Sequence, residues 1–183
     1  TLRLQKTVTG AFVTKVLTLR DDQPFLYQEH QFVGGAGQVP VAHHVMSAMQ
    51  GDGLLAFSPK RAAVTPDASL EPDPARGHYL FAYPGRSADL TQFPNRNGGV
   101  MDLTRYRASD RREDFVVLVE ADHSGPGWTT LSREAEQDLL VVLKDPRDLP
   151  ATMLWFSNGG RSYAPWNDRH LGVLGIEDGR TAV

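Results

Sequence analysis

The 183-residue chain sets 19 lysines and arginines against 22 acidic residues, a formal charge of -3 at neutral pH, and contains no cysteine. That balance leaves no basic stripe for a phosphate backbone, so no nucleic-acid partner is expected. The missing cysteines exclude a disulfide framework, a thiolate metal site and a cysteine nucleophile, and no apolar run approaches the roughly 18 residues a membrane helix needs.

A chain of this size buries roughly 70% of its unfolded surface, enough for a core without staples, and is expected to form one domain over 1–183. Cysteine-free composition leans towards a reducing compartment, so a cytoplasmic location is expected. The chain opens at Thr1 in mid-pattern, which reads as part of a longer domain.

Seventeen glycines and twelve prolines are spread between short apolar runs, the mark of many short strands joined by turns. Leu2, Leu4, Lys6 and Val8 alternate, Thr9-Gly10 turns the chain, and Phe12 to Leu19 alternates again, which predicts a hairpin. Further strands are predicted at Phe25–Val33, His43–Met49, Leu54–Ser58, His78–Tyr83, Val100–Tyr106, Phe115–Ala121, Leu139–Lys144, Met153–Ser157 and Leu171–Glu177. Ser58 to Arg76, with four prolines, reads as an irregular loop. The cluster Arg105, Arg107, Arg111, Arg112, followed by Glu113 and Asp114, reads as a solvated strand end. Leu131, Ala135, Leu139 and Val142 fall at helical spacing, but a strand pair turning near Glu134–Gln137 explains the segment in keeping with the rest. Ten or so antiparallel strands are most economically packed as two sheets, an all-β sandwich.

Four segments could carry chemistry. In Gln28-Glu29-His30-Gln31-Phe32, alternation puts Gln28, His30 and Phe32 on one face, where His30 could donate a proton or serve as a half-buried structural residue. In His43-His44 the neighbours face opposite sides of a strand, so only one can look into a given cleft. That argues against a metal pair and leaves one as a substrate contact, His44, or both as structural. Trp155-Phe156-Ser157-Asn158-Gly159-Gly160-Arg161, with Trp166 downstream, combines flat aromatic faces with amide and guanidinium donors, as a sugar ring requires, although Trp155 and Trp166 are equally explained as core. Glu177 closes the apolar run Leu171–Ile176 before Asp178-Gly179, either as a carboxylate whose burial raises its pKa or as a water-facing residue beside a turn.

Read in order, these segments resemble the aldose 1-epimerase (galactose mutarotase-like) superfamily. Gln28-Glu29-His30-Gln31-Phe32 is similar to the family's N-H-x-Y-F, Leu174-Gly175-Ile176-Glu177-Asp178 to its L-x-L-E-P, and Trp155 to Gly160 to an aromatic strand ending in Asn-Gly-Gly. Gln31 replaces the pattern's tyrosine and Asp178 its proline, and the strands that supply the family's substrate-binding arginine would precede Thr1. The resemblance implies a β-sandwich that interconverts the anomers of a small-molecule sugar with no cofactor and no metal. Glu177 would deprotonate the anomeric hydroxyl and His30 protonate the ring oxygen, with His44, Asn158, Arg161 and Trp166 holding the substrate. Both catalytic tips would then have to converge to roughly 5–8 Å. A non-catalytic carbohydrate-binding protein of the same fold is the alternative.

Overall fold

The computed structural model describes residues 1–122 and 124–180; His123 and Thr181–Val183 lie outside the described residues. Among the described residues there are fifteen strands and no helix. They are β1 (Leu2–Arg3), β2 (Ala11–Leu19), β3 (Leu26–Gly34), β4 (Val41–Ala48), β5 (Gly53–Phe57), β6 (Lys60–Val64), β7 (Arg86–Ser87), β8 (Phe93–Pro94), β9 (Val100–Met101), β10 (Arg105–Tyr106), β11 (Arg112–Glu120), β12 (Gly127–Arg133), β13 (Asp138–Lys144), β14 (Ala151–Asn158) and β15 (Val173–Arg180).

Two antiparallel sheets pack face to face. The larger has the order β4-β15-β14-β11-β6-β7, the smaller β10-β5-β12-β13. Alternation along the strands decides what meets between them. Val116 and Leu118 of β11, Leu154 and Phe156 of β14, and Leu174 and Ile176 of β15 point inward onto Leu55 of β5 and Leu131 of β12. All are essentially inaccessible to water. Phe81, Phe93 and Tyr106 complete this core, with Phe156 stacked on Tyr106 and edge-on to Phe81. The result is an all-β sandwich, as the turn-rich, strand-length apolar runs predict. β12 and β13 pair from Gly127 opposite Lys144 to Arg133 opposite Asp138 and turn between them, so the strand pair and not the helix occupies this segment.

Two local expectations need correction and a third is extended. The segment Ser58 to Arg76 is not wholly loop: Lys60–Val64 is a strand pairing with the central β11. Its run is flanked by prolines and opens with Lys60 and Arg61, which hides the buried Ala62-Ala63-Val64. The opening hairpin forms as expected, with Val8 bridging Ala11 across the Thr9-Gly10 turn and Leu2–Arg3 opposite Lys15 and Thr14, and β2 is paired on its other side with β3, Ala11 opposite Gly34 through Leu19 opposite Leu26. His78–Tyr83 forms no strand; within it only Phe81 makes an isolated bridge, to Asn95.

The charged run at the start of β11 is buried, not solvated. Arg112, Glu113 and Asp114 are 3%, 3% and 0% exposed, so each needs a partner. The Arg112 guanidinium lies 3.8 Å over the Phe156 ring, and its Nη1 comes 3.7 Å from Asp114 Oδ2. Asp114 accepts from the Leu80 and Phe81 amides and the Tyr83 hydroxyl. Towards the other end of the same interior, Lys144 Nζ sits 2.9 Å from both Glu120 Oε1 and Asp178 Oδ1, and donates to Thr152 Oγ1 at 2.7 Å. Lys60 Nζ meets the same Glu120 oxygen at 2.6 Å. Asp178 therefore does not open a turn: it points inward, and β15 continues to Arg180.

Candidate functional site

The outward face of the six-stranded sheet collects the chemistry. Glu177 on β15 stands opposite His44 on β4, and both project to the face away from the core, since Ile176 and Asp178 point inward. His44 Nε2 lies 3.5 Å from Glu177 Oε1, an electrostatic contact longer than a hydrogen bond. His44 is half exposed, while the Glu177 side chain is 7% exposed. Burial is the main influence on Glu177 and raises its carboxyl above the usual carboxylate range, with His44 pulling the other way. Glu177 Oε1 has no hydrogen-bond donor among the described residues.

Gly175, two residues before, explains how the carboxylate lies down on its own sheet. A Cβ there would meet Glu177 Oε1 at 2.9 Å, Met46 Sδ at 3.0 Å and Trp155 Cβ at 3.1 Å. The missing side chain makes room for the glutamate between Met46 and Trp155. Trp155 is the next strand's contribution, opposite Gly175, and its ring stands edge-on to His44 with centroids 5.8 Å apart.

Further along the same face, Glu113 of β11 anchors a second cluster. It accepts from Trp155 Nε1 at 2.6 Å and Ser157 Oγ at 3.1 Å, and Arg161 Nη2 approaches its Oε1 to 2.8 Å. Burial raises its carboxyl from the ordinary value, and Arg161 is the largest influence opposing that. Arg161 is stacked 3.7 Å over Trp166 and lies 5.5 Å from the Trp155 ring. Its Nε and Nη2 are buried without a well-directed acceptor among the described residues. Trp166 in turn meets His170 edge-on at 5.3 Å. His44, Glu177, Trp155, Glu113, Arg161 and Trp166 thus run as one band across β4, β15, β14, β11 and the loop after β14.

Of the residues singled out from the sequence, the structure brings together His44, Glu177, Arg161 and Trp166. Asn158 goes elsewhere: it is buried, donates to the Ala108 and Asp110 carbonyls, and accepts from the Gly172 amide. It ties β14 to two loops. His30 is not brought to Glu177. It sits on β3, and its ring lies 4.6 Å, centroid to centroid, from that of His43. His43 stands opposite inward-pointing Asp178, on the face of β4 opposite to His44. The expected convergence of His30 and Glu177 is therefore replaced by that of His44 and Glu177, because adjacent strand residues emerge on opposite faces. Burial, followed by Lys15, holds His30 below the usual imidazole value; for His43 burial, His30 and Lys15 act in that order, against Asp178.

Glu113 was missed by sequence reasoning, hidden in a run of mixed charge. Its signal is alternation with the apolar residues that follow: Glu113, Phe115, Val117 and Val119 share the face opposite the core residues Val116 and Leu118.

Two surface cavities, of about 600 and 780 Å³, lie around Arg105 and Arg107, and neither is lined by His44, Glu177, Trp155 or Arg161. Their linings carry charges compensated nearby, such as Arg105 with Asp102 and Arg133 with Asp138. The candidate site is instead an open sheet face, preferred because the buried, pKa-shifted carboxylates and the stacked aromatics are there. No group of three or more His, Cys, Asp or Glu that could hold a metal ion occurs among the described residues. Comparison with protein-family models, with curated proteins and with solved structures returned no match.

Proposed function

We propose that this chain binds a small sugar on the outward face of its larger sheet and interconverts the sugar's anomers by acid/base ring opening. The observation that carries the reading is the apposition of His44 and Glu177 at 3.5 Å, with the carboxylate buried, raised in pKa and its Oε1 without a hydrogen-bond donor among the described residues. Anomerisation needs a base at the anomeric hydroxyl and an acid at the ring oxygen, two oxygens on one carbon, so the two catalytic groups must be near neighbours. Glu177 takes the first role. His44 takes the second in place of His30, as the half-exposed imidazole that stands beside the same carboxylate. The ring opens to the aldehyde, the C1–C2 bond turns, and reclosure through the reverse proton transfers yields the other anomer.

The rest of the band supplies recognition. The Trp155 and Trp166 rings offer apolar surface to a pyranose face, and the Arg161 guanidinium stacked on Trp166 holds that ring in place.

Polarimetry of freshly dissolved α-galactose and α-glucose tests the proposal. The expected result is faster mutarotation that is lost in Glu177→Gln and in His44→Gln but kept in His30→Gln. Sugar binding without acceleration points to the non-catalytic alternative. Loss of activity in His30→Gln alone would overturn the assignment of His44.

A further inference from the structure

β13 is an edge of the smaller sheet, pairing only with β12 among the described strands. Natural edge strands are usually blunted by lysine, proline, a bulge or a covering loop, because their free N–H and C=O groups template pairing with another chain. The outward face here has none of the charged guards. Cross-strand registers put Leu54, Ser132 and Leu139 in one row, Ala56, Thr130 and Val141 in the next, and Trp128 with Leu143 beyond. The first row runs on from Leu54 to Arg105 of β10, at the opposite edge of the sheet from β13; no other charged residue occurs in those rows. Leu139, Val141 and Leu143 are 61%, 42% and 55% exposed, and Leu54 53%.

We infer that β13 is the contact through which two copies of this chain associate, pairing antiparallel about a two-fold axis at Val141. The strand is palindromic in the property that matters. In that register Val141 faces Val141 of the second copy, and Leu139 faces Leu143 of the second copy twice over. The register sets Asp138 opposite Lys144, whose charges are already compensated within each copy by Arg133 and by Glu120 and Asp178, so no like charges meet. The two-fold keeps the apolar face on the same side in both copies and joins two four-stranded sheets into one of eight strands.

The strand's own side chains suit this pairing. Leu139, Val141 and Leu143 present on the order of 300 Å² of apolar surface along the edge, at the size where such patches on monomers become functional, and each packs beside its counterpart across the new strand pair. The second copy thus matches both the free hydrogen-bonding edge and the apolar strip beside it. This inference does not depend on the proposed chemistry.

Sedimentation velocity reads it directly: the wild-type chain sediments as a dimer, at twice 20.2 kDa. Val141→Lys, at a half-exposed position, sets two ammonium groups face to face and weakens association by about tenfold or more. Its far-UV circular dichroism stays unchanged. Because the chain has no cysteine, Val141→Cys introduces a single thiol, which gives a covalent dimer with a short thiol cross-linker. A wild-type chain that stays monomeric into the millimolar range overturns the inference. So does a dimer that Val141→Lys leaves intact, or one in which Cys-substituted position 141 does not cross-link.

Discussion

His44 and Glu177 face each other across the β4–β15 pair, one half exposed, the other nearly sealed by Met46, Trp155 and the space that Gly175 leaves open. The pair combines a reachable proton donor with a carboxylate that burial keeps basic. Its pH behaviour has a definite sign. Because the folded-state pKa of Glu177 is raised, this residue favours folding below its unfolded value of 4.5 and opposes it as pH rises through the folded value. Glu177→Gln, which removes the buried charge, is therefore expected to raise the thermal midpoint at pH 7 and to change it little at pH 4. Differential scanning calorimetry at the two pH values checks this; a lowered midpoint at pH 7 would mean that the ionised carboxylate contributes net stability.

Glu113 organises the other half of the band. Glu113→Ala strands the buried Arg161 guanidinium and leaves Trp155 Nε1 and Ser157 Oγ without their acceptor. Breaking a buried pair from one side costs about 3–5 kcal/mol, so a large fall in the urea midpoint is expected. Glu113→Gln, which keeps an acceptor for Trp155, should fall by less.

The histidine pair predicts acid sensitivity in a particular place. His30 and His43 both have folded-state values below 6.5, so their contribution to stability is complete above pH 6.5 and is lost as pH falls below it. The groups facing them are Lys15, paired across from His30, and Asp178, opposite His43. A His30→Phe, His43→Phe double variant is expected to lose less of its thermal midpoint between pH 7 and 5.5 than the wild type. Equal losses in the two proteins would place the acid sensitivity elsewhere.

The interior charges give a sharper stability test. Lys144 touches Glu120, Asp178, Thr152 and the Ala151 carbonyl while 2% exposed. Lys144→Met removes an ammonium held against both Glu120 and Asp178, and should cost about 3–5 kcal/mol. Lys144→Met with Asp178→Leu should recover part of the loss, a coupling that a double-mutant cycle in urea measures.

Much of the sheet structure was legible because runs such as alternating Phe12–Leu19 and apolar Phe115–Ala121 are strand-length and end in turn residues. Lys60–Val64 was not, because its buried side chains are small and its visible residues are two cations between prolines. The site was half legible. Alternation correctly separates His43 from His44, yet says nothing about which strand lies beside β15, and that neighbour is what decides which histidine meets Glu177. Glu113 was opaque for a different reason. A carboxylate between an arginine and an aspartate looks solvated until folding delivers Trp155, Ser157 and Arg161 from more than forty positions away. Asn158 misled in the opposite sense, since its amide is consumed by backbone groups at Ala108, Asp110 and Gly172.

The account turns on whether Glu177 and His44 move protons on a bound aldose. Two-dimensional NMR exchange between α- and β-galactose, at fixed protein concentration and neutral pH, measures that step alone. The account predicts anomer exchange well above the buffer rate, reduced by about 10²–10⁴ in Glu177→Gln while the folded fraction is unchanged. Exchange equally fast in wild type and Glu177→Gln would contradict it.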